Sequence, residues 1–153
     1  MRLLLVGDDP FGDGRQRAEA VAEELGVKAS GVVVFAGIRR DVPRLMAASD
    51  AFVMASRWEG LGLVFLEAMA TRLPVLSTHV SAIPEVVIDG ETGLLVPPDD
   101  SAAMASAMVR LSAEPGLREA LGEAGHRRVV QRFGLDRMVD ETIEIYRSVC
   151  AGQ

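Results

Sequence analysis

The chain has 153 residues, 49% apolar and 25% charged, which fits one globular folding unit and excludes disordered, collagen-like and disulfide-framework chains. Its 16 Lys and Arg against 22 Asp and Glu leave a net charge of −6, so neither nucleic acid nor an anionic membrane surface is an expected partner. Cys150 is the only cysteine and cannot close an internal disulfide, and apolar runs such as Leu63 to Leu66 and Gly31 to Gly37 are too short to span a bilayer. Met1-Arg2-Leu3 reads as the entry to a strand rather than a signal peptide, so a cytoplasmic location is expected.

Leu3 to Val6 is an apolar run closed by Gly7, the pattern of a strand buried on both faces. Gly7 to Gly14 is rich in Gly and Asp and reads as a loop. Ala18, Val21, Ala22 and Leu25 have helical spacing over Arg15 to Leu25, with Gly26 as the C′ residue. Val32 to Phe35 is the second strand. Asp41 is the candidate N-cap of a short helix with Pro43 near its start. Ala51 to Met54 is the third strand, Ser56 to Gly62 a loop, and Leu63 to Thr71 a helix. Pro74 to Ser77 is the fourth strand, followed by one helical turn at Pro84 to Ile88 and a turn at Asp89-Gly90. Gly93 to Val96 is a fifth strand. Three helices close the chain: Ser101 (as cap) to Ser112, Leu117 to Gln131, and Leu135 to Val149.

Strands alternating with helices predict an α/β fold, a doubly wound, mostly parallel sheet of about five strands with flanking helices and a helical C-terminus. Ligands of such sheets bind beyond the carboxyl ends of the strands. The loops that matter therefore follow Val6, Phe35, Met54 and Ser77. Gly7 to Gly14 is not a phosphate loop, because it lacks both the G-x-G-x-x-G spacing and a P-loop lysine, and its aspartates repel phosphate.

One stretch carries candidate chemistry, Ser56-Arg57-Trp58-Glu59-Gly60-Leu61-Gly62, leading into the helix from Leu63. Gly60 and Gly62 allow close backbone approach, and the free N–H groups of the helix start attract phosphate. The helix is apolar almost all round, which predicts burial, with Glu67 as its one charge. A buried carboxylate must be paired or hydrogen-bonded. Two readings stay open for Glu67: a structural ion pair, or a ligand for the hydroxyls of a vicinal diol. Trp58 reads as a cover for the site or a packing residue. His79 is a loop residue or a ligand, and His126, beside Arg127 and Arg128, lies on a solvated helix face. Arg39 and Arg57 border the site and have Asp41 and Glu59 as nearby partners.

Several further motifs stand in order. They are Phe35-Ala36-Gly37, Asp41-Val42-Pro43, Ser49-Asp50-Ala51, the Glu59/Glu67 pair around Gly-Leu-Gly, Ile83-Pro84-Glu85 and Gly90-Glu91-Thr92-Gly93. Over roughly Leu3 to Tyr146 the chain resembles the C-terminal, donor-binding domain of a GT-B fold retaining glycosyltransferase of group 1, GT4-like. The resemblance implies transfer of a sugar from a nucleoside diphosphate sugar to a hydroxyl acceptor, with no cofactor and no metal. It implies that Glu67 holds the ribose hydroxyls and that Glu59, nearest the donor sugar, is the candidate catalytic residue, with no base assigned. The N–H groups from Gly60 through Leu61 and Gly62 to Leu63 would meet the distal phosphate or the sugar. Gly37, Ile38 and Arg39 would border the nucleobase.

Departures from the family pattern are equally specific. Arg72 stands where the family has a helix-ending glycine, at a cost of about 1 kcal/mol if the conformation is left-handed. Ser81-Ala82 stands in place of Gly-Gly. Against the family, residues 1–153 form a single domain that lacks its first β–α unit, with that unit's basic phosphate ligands, and also the N-terminal acceptor domain. A non-catalytic nucleotide-sugar binding module or partner subunit is the alternative function, and a remnant that binds nothing is a third. The apolar stripe Leu135, Met138, Val139, Thr142, Ile143, Tyr146 and Val149 predicts a missing N-terminal domain or a second copy as partner.

Overall fold

A computed structural model describes residues 1–9 and 12–151. Residues 10 and 11 of the predicted Gly7–Gly14 loop lie outside the described residues. The chain divides into two compact units, Met1–Val42 and Pro43–Gln153.

The first unit is one β–α–β element. β1 (Leu3–Val6) and β2 (Val33–Gly37) pair in parallel, with α1 (Gly14–Glu24) between them. The register shifts between Leu5 and Val6, so that Val6 meets Gly37, which has φ 62°. Gly26 ends α1 as anticipated. Its N–H donates to Glu23 O and that of Val27 to Ala22 O, the paired bonds of a Schellman motif around a left-handed glycine. The expected double burial of β1 does not hold: Leu4, Leu5 and Val6 are exposed, as is Val34 on β2. An apolar run specifies a strand, but burial also needs a neighbour on each face.

The second unit holds α2 (Val42–Ala47, which begins on the last residue of the first), β3 (Phe52–Met54), α3 (Leu63–Ala70), β4 (Val75–Thr78), α4 (Ile83–Val86), β5 (Gly93–Val96), α5 (Ser101–Ala113), α6 (Pro115–Arg132) and α7 (Leu135–Ala151). Its sheet runs β3-β4-β5, parallel throughout, with Phe52, Val75 and Gly93 in register. β4 is central and wholly buried. On one face Phe52 meets Phe65 of α3 edge-on at 5.8 Å. On the other, Leu76, Leu94 and Val96 pack with Leu111 of α5 and Leu121 of α6. Truncating a core residue such as Leu76 removes contacts worth about 2–5 kcal/mol.

Two helix starts differ from the sequence reading. Asp100, not Ser101, caps α5, accepting from Ala103 N at 2.8 Å. Asp41 makes no side-chain bond to α2 and instead accepts from Arg39 through both carboxylate oxygens, at 2.8 and 2.7 Å. His126 and Arg128 are not solvated bystanders. His126 Nδ1 lies 3.0 Å from Ala70 O, a bond made as donor in the Nδ1–H tautomer. Arg128 donates to Val86 O at 2.8 Å and Glu85 O at 2.7 Å, so α6 ties down the ends of α3 and α4.

Candidate functional site

β3 delivers the chain into the Ser56–Gly62 loop at the carboxyl end of the sheet. Buried hydroxyls on β4 fix this exit. Ser77 Oγ donates to Met54 O at 2.7 Å, and Thr78 Oγ1 donates to Ser56 O at 2.5 Å. Ser56 Oγ in turn donates to Glu59 Oε1 at 3.0 Å. Glu59 is half-buried, and its Oε2 lies 3.8 Å from where a Cβ on Gly62 would sit. Its carboxylate therefore stands beside the start of α3.

Gly62 is the N-cap of α3, with φ 65° and no side chain to cap the helix. A Cβ there would also lie 2.5 Å from the Phe65 ring, so both conformation and space require glycine. A Cβ at Gly60 would meet nothing within 4 Å, so open space surrounds that backbone. The uncapped N–H groups and the positive dipole end suit an anion.

The buried-helix expectation for α3 needs correction. Phe65, Ala68 and Met69 are buried, but Leu63 is 65% exposed and Glu67 is exposed. Only one stripe of the helix meets the sheet. Among the described residues the Glu67 side chain has no hydrogen bond or ion pair, so the structural-pair reading fails and the carboxylate remains available. Arg57 does not pair with Glu59; it meets Asp99 at 2.9 Å. Trp58 is 76% exposed, which excludes a packing role within this chain. His79 is exposed, and its N–H donates to Val96 O.

The other predicted binding residues belong to the first unit. Gly37 closes β2, Ile38 is exposed, and Arg39 is held by Asp41, which draws the Asp41 carboxyl below its ordinary range. Sequence reasoning missed a cavity of about 200 Å³ at the carboxyl ends of β1 and β2. Leu5, Val6 and Phe35 make it largely apolar, and Asp8, Arg15 and Gly37 stand around it. The rule that ligands gather beyond strand carboxyl ends marked the loop after Val6, but no residue there was singled out. Arg15 bonds Glu19 at 2.8 Å, and Glu19 also takes Lys28 at 3.0 Å. Together they hold the Glu19 carboxyl below the usual range.

Parallel strands whose carboxyl ends lead into a glycine-rich helix start define a Rossmann-like α/β class of ligand-binding fold. The chain belongs to the group 1 glycosyl transferases, whose family model matches residues 1–114, and its fold is that of a GT-B half. It is 38% identical over 146 residues to the lipopolysaccharide core biosynthesis glycosyltransferase LpsE of Rhizobium meliloti, covering 95% of this chain and 42% of that protein. It is 32% identical to the N-acetyl-α-D-glucosaminyl L-malate synthase of Bacillus anthracis, covering 97% and 38%. Sucrose-phosphate synthase of Thermosynechococcus elongatus superposes with a TM-score of 0.87 at 35% identity, over 99% of this chain and 39% of that one. Anabaena HepE, solved in complex with UDP, gives 0.89 at 27% identity, over 97% and 41%. The chain thus spans about two fifths of the length of these relatives. No helix among the described residues is long and apolar enough to cross a membrane.

Proposed function

We propose that the chain is the donor-binding part of a retaining, cytoplasmic glycosyltransferase. It binds a nucleoside diphosphate sugar and, completed by an acceptor-binding domain, transfers the sugar to a hydroxyl. The observation that carries this reading is the start of α3. There an uncapped helix N-terminus, open backbone at Gly60 and two exposed or half-exposed carboxylates, Glu59 and Glu67, stand together in a chain of this family. In this reading Glu67 accepts from the ribose hydroxyls and Glu59 from the donor sugar, while the N–H groups from Gly60 to Leu63 meet the diphosphate. A leaving diphosphate gains charge, so the same N–H groups favour its departure. The α7 stripe is the surface for the acceptor domain or for a second copy. Anabaena HepE has been solved in complex with UDP and with UDP-glucose, which makes uridine nucleotides the first ligands to test.

Titration calorimetry with UDP and UDP-glucose tests the reading. Saturable binding is expected, weakened in Glu67→Ala by about 2–3 kcal/mol, the worth of hydrogen bonds to a charged acceptor. Absence of binding to either ligand, or binding indifferent to Glu67, rejects it. One observation favours binding without turnover as a second reading. Arg39 and Arg57, the cations beside these loops, are already engaged by Asp41 and Asp99. Sugar release in a single-turnover assay with UDP-glucose separates the two.

A further inference from the structure

An open cavity of about 290 Å³ lies between the second half of α6 and the turn after α4. None of its lining residues belongs to the Glu59–Glu67 segment. Arg127, Arg128 and Arg132 line it, with Gln131 and Thr92, and Glu91 is its one carboxylate. Three guanidiniums against one carboxylate make it locally basic, in a chain whose net charge is −6.

The arginines divide into one anchor and two open groups. Arg128 is fixed through Nε to Val86 O and Nη2 to Glu85 O, with its guanidinium 5.7 Å from the Phe133 ring centre. Its charge is therefore held in one position. Arg127 and Arg132 are exposed, and among the described residues neither makes an ion pair or a side-chain hydrogen bond. Elsewhere in this unit Arg57, Arg72, Arg110 and Arg137 pair with Asp99, Glu123, Glu114 and Glu141, while Arg44, Arg118 and Arg147 make no ion pair among the described residues; what sets Arg127 and Arg132 apart is that they share one cavity with a third guanidinium. Glu91 lines the same cavity and pairs with none of the three. The helix dipole accounts for Arg132, which stands in the last turn of α6. It does not account for Arg127, more than a turn earlier, because the dipole effect fades within that turn.

Three like charges beside a single carboxylate that pairs with none of them are unfavourable until an anion joins them. Guanidiniums offer planar, forked donors that match the oxygens of phosphate. We propose that this cavity is a second binding site, for the phosphate group of a small phosphorylated molecule. Arg128 supplies a preset charge, and Arg127 and Arg132 close on the phosphate. Glu91 and Gln131 stand ready for hydroxyls on the rest of the ligand. The site is open and of small-molecule size, so a free phosphate ester suits it better than a macromolecule.

The test is titration of the chain with inorganic phosphate at constant ionic strength, followed by amide NMR. Saturable shifts are expected at Thr92 and Gln131. Arg127→Ala and Arg132→Ala should each weaken binding about tenfold, and Arg147→Ala on α7 should leave it unchanged. Arg127 and Arg132 make no side-chain bonds, so these variants should fold, and unchanged UDP binding would verify that. Three results would overturn the proposal. They are no saturation at millimolar phosphate, equal binding in the double variant, and shifts confined to Leu63 and Val64 at the start of α3.

Discussion

Arg72 and Ser81 show what a single residue can absorb. Both stand where the family resemblance calls for glycine, and both keep the glycine conformation, with φ of 62° and 47°. At Arg72 the Schellman bonds still form, from Arg72 N to Met69 O and from Leu73 N to Ala68 O, each 3.0 Å. The strain is stored rather than relieved, and the exposed Arg72–Glu123 pair at 2.8 Å offsets only a little of it. Arg72→Gly should therefore stabilise the fold by about 1 kcal/mol, read as a higher urea midpoint at unchanged m-value. A fall in the midpoint would show the ion pair to outweigh the strain. The Ser56–Glu59 bond allows a sharper functional test. Removing the hydroxyl in Ser56→Ala frees the carboxylate, so UDP-glucose affinity should fall roughly fivefold while UDP affinity holds, because a neutral-donor bond is worth about 1 kcal/mol. Equal losses for the two ligands would mean that the serine serves only the loop backbone. Glu19 gives a pH signature. Its carboxyl is depressed by Arg15 and Lys28, so its stabilising effect is present above the ordinary glutamate range and lost as pH falls through the lower folded value. Carboxyl NMR should find a midpoint below the glutamate norm, moving upward with added salt.

At the scale of elements, the strands were legible because apolar runs are bounded by turn residues: Gly7 after β1, Gly37 at the end of β2, and the Asp89-Gly90 turn ahead of β5. The C′ glycine of α1 was legible because its signal is local. The exposure of α3 was not, because composition reports what a helix could bury and packing decides what it does. Its apolar residues met a sheet on one side only, which left Glu67 outside. Likewise His126 and Arg128 bond carbonyls more than forty residues away in sequence, which no local pattern encodes. Glu67 stood out as the one charge on an apolar helix and Glu59 through the family resemblance, whereas the Ser56, Ser77 and Thr78 hydroxyls that fix the loop and Glu59 carried no sequence signal. Helix α7 is a strongly amphipathic element with no buried residue. Leu135, Ile145, Tyr146 and Val149 are all more than half exposed. In sedimentation velocity the chain should show a concentration-dependent shift, abolished in Ile145→Glu/Tyr146→Glu. A shift that persists in this variant would direct attention to another surface.

At the scale of the whole molecule, the chain comprises two compact units, Met1–Val42 and Pro43–Gln153, each with its own parallel strands. The second contains the three-stranded sheet and the α3 site, and the first contains the apolar cavity and the loop at Gly37. The chain spans about two fifths of the length of the relatives it matches.

The fastening of α3 is unequal along its length. At its end, Ala70 O meets His126, Arg72 turns in a full Schellman motif, and Gly122 packs so closely that a Cβ there would lie 2.1 Å from Arg72 O. At its start Gly62 offers no side-chain cap, and Phe65 against Phe52 is the first buried contact. The helix is therefore a cantilever, clamped to α6 at its end and uncapped at the tip to which the proposed function assigns the diphosphate. Amide hydrogen exchange should be slow at Arg72 and Leu73 and fast at Leu63 and Val64, and ligand should slow only the tip. Gly122→Ala would loosen the clamp itself, costing about 2 kcal/mol or more in stability and erasing that gradient.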